Sequence, residues 1–359
     1  MAETTINEAA VYAVLADFKD PETGRSIVQM EQVRDLKLQD RTLSLTLGLT
    51  THSAPLWTAT QLELEQFLRA RLPALNEVQV RLAVHQRPPL PLGEMGLSVK
   101  SVIAVGSGKG GVGKSTIATS IALGLARAGA KVGLMDADVY GPSVPHLLGL
   151  QQMPEPRDNR LVPAEVNGLK VMSMAFLVPA SEAVVWRGPM LHKAIQQFLG
   201  GTHWGELDYL IVDMPPGTGD VALSLSQSVP LTGAVVVCTP QDVALLDAVK
   251  AITMFRKVNI PLLGMVENMS YFICPDNGKR YDIFGTGGAR RSATEQKIPF
   301  LGEVPINIQI RIHGDEGKTA ANFDQVDAAP FLEAICQNLV RNLSEQHRAN
   351  PPLPSLSIL

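Results

Sequence analysis

Residues 102–127 read VIAVGSGKGGVGKSTIATSIALGLAR, and the fold turns on them. The apolar run Val102 to Val105 predicts a buried strand, and a glycine-rich turn follows it. Beyond the turn, Ile117, Ile121 and Leu125 recur at helical spacing, which predicts an amphipathic helix opening near Gly113. The three pieces carry the P-loop pattern: Gly108, four residues, then Gly113-Lys114-Ser115. Glycines let backbone N–H groups turn inward around phosphate oxygens with no Cβ in the way. The helix start directs free N–H groups and the positive end of its dipole at the same anion. The Lys114 ammonium can reach terminal phosphates, and the Ser115 hydroxyl can coordinate Mg2+. Gly108, Lys109, Gly110, Gly111, Val112, Gly113, Lys114, Ser115 and Thr116 therefore form the candidate nucleotide cradle.

From Ser101 onward, strand-like and helix-like stretches alternate, the mark of an α/β domain with a mostly parallel, doubly wound sheet. Candidate strands are 101–106, 131–136, 169–174, 208–213, 233–239 and 261–267. Ligands of such sheets sit at the carboxyl ends of strands, and the remaining motifs fall at such ends. LMDADVYGPS places Asp136 and Asp138 after one strand. DYLIVDMPPGTGD ends another on Asp213, a Walker B arrangement in which the carboxylate holds a metal-bound water. Pro215, Pro216 and Gly217 then form a constrained turn placed to sense a γ-phosphate. VENMS ends a further strand at Asn268.

Upstream, a helix over 7–17, the turn DPETG, a strand over 41–49, a helix over 60–72 and alternation at Val78, Val80, Leu82 and Val84 predict a small α/β unit. The expected organisation is a small domain over 1–85, a proline-containing linker over 86–100, the nucleotide domain over 101–346 and a disordered tail over 347–359. At 359 residues, 45% hydrophobic, with net charge −4, the chain suits two soluble domains and argues against nucleic acid as a partner. No apolar run reaches transmembrane length, and the N-terminus lacks a signal peptide's basic start, so no membrane partner is expected and the cytoplasm is the economical location. Three cysteines, Cys238, Cys274 and Cys336, imply no disulfide framework, and the seven histidines show no metal-ligand spacing.

Lys109 inside KGGVGKS resembles the deviant P-loop of the dimeric ATPase class that contains nitrogenase iron protein and the Min and Par ATPases. The string YFICPDNGKRYDIFGTGGARR is similar to the Mrp/ApbC-type iron–sulfur cluster carrier branch of that class, and the first unit resembles the small iron–sulfur assembly domain often fused ahead of it. The resemblance implies a homodimer in which Lys109 crosses to the partner's nucleotide. It implies that Asp138 orients or deprotonates the attacking water, that Asp136 lies near the Mg2+ shell, and that Asn268 bonds the adenine of ATP. Lys109, Lys114 and Asp138 are thus the expected catalytic residues, with Asp136, Asp213, Gly217 and Asn268 completing the nucleotide site. In VVWRGPML, Arg187 is open between a nucleotide or subunit contact and a structural salt bridge. In the family the cysteine string reads Cys-Pro-x-Cys-Gly, and cysteines from two subunits hold a bridging [4Fe–4S] cluster. Here Cys274 is present and Asn277 stands at the second position, so a symmetric dimer offers two thiolates. HSAPLW likewise lacks the small domain's usual Cys-Pro, which favours a structural or docking role there. Two functions stay open: a slow, Mg2+-dependent ATPase that delivers clusters to apo iron–sulfur proteins alongside cluster-assembly proteins, or a nucleotide-switched scaffold with no cluster of its own. A Min- or Par-type positioning ATPase comes third.

Overall fold

The structure, a computed structural model, describes residues 6–92, 96–139, 141–177 and 188–349. Arg187 and the segment PPLPSLSIL lie outside the described residues. Two compact units emerge, Met1–Arg87 with Val340–Leu359, and Pro88–Leu339.

In the first unit the order is α1 (Glu8–Leu15), β1 (Val33–Gln39), β2 (Thr42–Leu49), α2 (Trp57–Arg71) and β3 (Glu77–Val84). Asn7 caps α1 by accepting the Ala10 N–H at 2.9 Å. β1 runs antiparallel to β2 and β2 parallel to β3. The alternating Leu43, Leu45, Leu47 and Leu49 all lie buried and pack with Leu64 and Leu68 of α2, as the period of two demands. A polar knot sits beside this core. Asp20 accepts Thr23 N–H at 2.8 Å and Gln32 Nε2 at 2.9 Å, and Arg87 lies 2.5 Å from Glu22.

The second unit runs β4 (Pro91–Leu92), β5 (Leu97–Gly106), α3 (Lys114–Arg127), β6 (Val132–Asp136), α4 (Val144–Leu147), β7 (Ala164–Val166), β8 (Leu169–Ser173), α5 (Gly188–Gly200), β9 (Glu206–Asp213), α6 (Asp220–Ser228), β10 (Gly233–Cys238), α7 (Asp242–Lys257), β11 (Leu262–Ile273), β12 (Arg280–Tyr281), α8 (Gly288–Glu295), β13 (Phe300–Ile306) and α9 (Ile308–Asp315). The last helix, α10 (Ala329–Ala349), contributes its residues from Val340 to the first unit. Parallel strands stand in the order β13-β11-β10-β5-β9-β6-β8, with β4, β7 and β12 antiparallel additions. Residues 102–105 of β5 and 209–212 of β9 read as continuous apolar runs because helices cover both faces of a parallel sheet.

The strand leading into the P-loop begins at Leu97, inside the stretch read as linker. Leu97 and Val99 are both buried, so the alternation LSVKSV is a core signal with polar residues on its other face. On α3, Ile117, Ile121 and Leu125 are buried, each worth roughly 2 kcal/mol of apolar burial. No helix among the described residues is long and apolar enough to cross a membrane.

Candidate functional site

Central β5 delivers the P-loop to the carboxyl edge of the sheet, and its neighbours deliver the rest. Backbone conformation explains two of the glycines. Gly113, which opens α3, has φ +79°, and a Cβ there would overlap the Asn268 amide. A Cβ on Gly108 would collide with the backbone of Asp247 in α7. Gly110 and Gly111 instead face open space, the side on which an anion can approach. Gly113 provides no side-chain cap, so the first N–H groups of α3 stay available to that anion.

Beneath the loop, Lys114 is 6% exposed and lies between two carboxylates. Its Nζ donates to Asp213 Oδ1 at 2.6 Å and stands 3.7 Å from Asp138 Oδ2 and 3.3 Å from Ser115 Oγ. β6 and β9 pair with Asp136 opposite Asp213, which brings the two motif loops together. Burial pushes the Asp213 carboxyl up from its ordinary range, and the Lys114 ammonium and Ser115 hydroxyl pull it back. Burial and the Asp213 charge push Asp136 up to about 7.

Asp136 does more than add charge. Its Oδ1 accepts the Asp138 N–H at 3.2 Å, and its Oδ2 accepts the Val144 N–H at 3.1 Å and the Ser173 hydroxyl at 3.0 Å. Asp138 accepts the Gly141 N–H at 3.2 Å. The two aspartates therefore tie down the loop between β6 and α4 from inside. Ser173, at the end of β8, was not legible as a site residue, because a lone serine at a strand end carries no motif.

Gly217 has φ +86° and donates its N–H to the Ser107 carbonyl at 2.9 Å, so the Pro-Pro-Gly turn touches the P-loop directly. Asn268 donates its amide to the Val112 carbonyl at 2.9 Å, bracing the loop from β11. Lys109 is half-buried and carries no ion pair among the described residues. Thr116 lies in the first turn of α3, beside Ser115.

Mg2+ fits this donor set. Among the described residues Asp213 Oδ2 is buried without a hydrogen-bond partner, Ser115 is adjacent, and three carboxylates outnumber one ammonium. Among the described residues no three His, Cys, Asp or Glu side chains are grouped to hold a metal alone. Mg2+ is commonly held by one or two side chains with substrate phosphates completing its shell, which matches.

Cys274 follows β11 directly. Its N–H donates to the Lys279 carbonyl at 3.0 Å, and its own carbonyl accepts the Gly278 N–H at 2.8 Å, closing a tight turn into β12. Asn277 Oδ1 accepts the Lys279 N–H at 2.9 Å, so the turn is closed with one thiol in it. Cys238 and Cys336 are buried, and burial drives both thiols up to about 12, which leaves them protonated core residues.

Comparison with known proteins extends the geometry. The family profile described as NUBPL iron-transfer P-loop NTPase matches residues 98–340, and that of an iron-sulfur cluster assembly protein matches residues 8–82. An iron-sulfur cluster carrier protein of Deinococcus radiodurans is 48% identical over 97% of this chain and 100% of its own length. One from Escherichia coli K12 is 43% identical over 86% of this chain and 85% of its own. Among solved structures, a nucleotide-binding protein of Archaeoglobus fulgidus in complex with ADP superposes with TM-score 0.58 at 42% identity, over 65% of this chain and 92% of that one. The Pyrococcus furiosus cell division ATPase MinD shares the fold, with TM-score 0.52 at 20% identity over 67% of this chain and 98% of that one.

Proposed function

The chain belongs to the NUBPL iron-transfer P-loop NTPase family, and from that premise we propose that it is a homodimeric, Mg2+-dependent ATPase that carries iron–sulfur clusters to apoproteins in the cytoplasm. The observation that carries the reading is the buried Lys114–Asp213–Asp138 group beneath a P-loop whose glycines face open space. The first N–H groups of α3 and the Lys114 ammonium bind the phosphates, which draws Lys114 away from Asp213. Mg2+, when bound, would neutralise phosphate charge, held by Ser115 directly and by Asp213 through a water. Asp138, held by Asp136 and Gly141, orients the attacking water and accepts its proton. Lys109 of a second copy supplies further positive charge to the transition state. Asn268 braces the loop and stands beside the adenine.

The cargo is a cluster held at Cys274. An amide is a poor ligand for iron, so two copies of this chain supply two thiolates at this turn where the family's motif would supply four. The Asn277–Lys279 bond favours a second reading, a nucleotide-switched scaffold with no cluster of its own, because it shows a turn complete without a second thiol. That reading expects ATP-dependent capture of assembly proteins to survive Cys274→Ala.

Steady-state hydrolysis tests the enzymatic part. Lys114→Ala abolishes nucleotide binding, whereas Asp138→Ala keeps binding and lowers turnover by about 100-fold or more, the usual worth of a positioned base. Undiminished turnover in both variants would place the reaction elsewhere.

A further inference from the structure

β11 touches both the P-loop and the cysteine turn, and the stretch between those contacts is poorly settled. Asn268 bonds the Val112 carbonyl, and Cys274 begins its turn six residues later on the same chain. Between them Met269 has φ +55°, a left-handed conformation that strains any residue with a Cβ. The register against β13 breaks between Asn268 and Phe272. Ser270 is buried, and its hydroxyl has no hydrogen-bond partner among the described residues. Glu267, just upstream, is buried with Oε1 likewise unpartnered, while its Oε2 accepts the Ala289 N–H at 2.7 Å at the start of α8. Strain, a register break and orphaned polar groups in an otherwise core strand are the features of a segment with a second arrangement available.

We propose that Met269–Ser270 is a two-state joint through which nucleotide binding at the P-loop reaches the Cys274 turn. The inference rests on the reading of Gly108–Thr116 as the nucleotide site and Cys274 as the cargo thiol. Gly113 and Asn268 are in such close contact that a shift of the loop around phosphate moves Asn268. The strained Met269 step converts that movement into a change of register. Beyond the joint, Phe272 and Ile273 pair with Tyr281 and Arg280 of β12, so the turn holding Cys274 moves with the strand. Arg280 lies 3.9 Å over the Tyr271 ring and bonds Asp282 at 2.8 Å, which makes the hairpin a stiff lever. Coupling thus runs along one strand, in addition to the loops after β6 and β9.

Thiol reactivity reads the joint. Cys238 and Cys336 are buried, so N-ethylmaleimide labelling of the full chain, assigned by peptide mass, reports Cys274. Saturating Mg2+ and a non-hydrolysable ATP analogue change the wild-type labelling rate by about fivefold or more, the low end of ordinary coupling. Met269→Gly removes the left-handed strain and Ser270→Ala removes the orphaned hydroxyl. Both favour the present arrangement, so in both variants the nucleotide-induced change falls below half of the wild-type change. Analogue binding, measured by calorimetry, persists in each and is weaker than in wild type, because stabilising the present arrangement opposes the one that nucleotide favours. A wild-type rate indifferent to bound analogue overturns the joint while leaving the nucleotide site standing, and so does a full wild-type response in both variants. Absence of analogue binding to the wild type overturns the nucleotide reading itself, and the joint with it.

Discussion

Asp136→Asn separates the charge of Asp136 from its shape. Burial and the Asp213 charge push the wild-type carboxyl up to about 7 in the folded protein, well above the ordinary aspartate range that the unfolded chain keeps. A carboxyl whose folded pKa lies above its unfolded value keeps its proton where the unfolded chain has lost it. Stability therefore falls as pH rises from about 4 to 7, by up to roughly 1.4 kcal/mol per pH unit from this group. The whole shift is worth roughly 4 kcal/mol, of which roughly 2 to 3 kcal/mol falls between pH 5 and 8. Asparagine cannot ionise, so it escapes that loss. Its amide nitrogen cannot accept, whereas both Asp136 oxygens can whether or not the group is protonated, so at least one of the three donors loses its acceptor, at a cost of roughly 2 kcal/mol across the range. The variant is accordingly less stable than wild type at pH 5, and the gap closes or reverses by pH 8. Urea unfolding in a Trp57→Phe background measures this, because the remaining tryptophans then lie in the second unit. A stability difference that stays flat across pH 5 to 8 would refute the raised pKa and the crowding of carboxylates inferred from it.

Two other substitutions probe the same floor. Gly113→Ala forces a side chain into φ +79° and against Asn268, and is expected to cost roughly 2–3 kcal/mol in stability by urea unfolding and to weaken ATP binding in a direct titration. Ser173→Ala removes one of the donors that pull Asp136 down, so it costs roughly 2 kcal/mol at neutral pH and moves the pH-dependent loss of stability to higher pH.

Much of the nucleotide domain was legible because its strands are apolar runs that ended where motifs began. β5, β6, β9 and β10 are of this kind, and the helix after the P-loop announced itself through Ile117, Ile121 and Leu125. What escaped had a physical reason in each case. β1, VRDLKLQ, is largely exposed and kinked by Asp35 at φ +51°, so it shows no clean alternation. β13, FLGEVPI, holds a glycine and a proline that read as breakers, yet it pairs along β11. β11 itself runs six residues beyond the apolar signal, because Glu267, Asn268 and Ser270 are polar residues in a buried strand. In the site, Lys114, Asp138 and Asp213 were identified individually, and the fold brings them together. The hydrogen bonds of Asp136 and the grip of Asn268 on Val112 depend on loop paths that residue spacing does not encode. DPETG read as a turn, and Arg87 as linker, although Asp20, Glu22 and Arg87 form the polar knot of the first unit. Turn chemistry gave the local shape there, while the partners came from distant chain positions.

Anaerobic reconstitution with iron and sulfide tests the carrier reading most directly. Wild type is expected to retain both elements after desalting and to yield them to an apo iron–sulfur protein faster with Mg2+ and ATP. Cys274→Ala is expected to retain neither above background, and Asn277→Cys to retain more than wild type. Equal iron and sulfide in wild type and Cys274→Ala would contradict the assignment of the cargo to this turn.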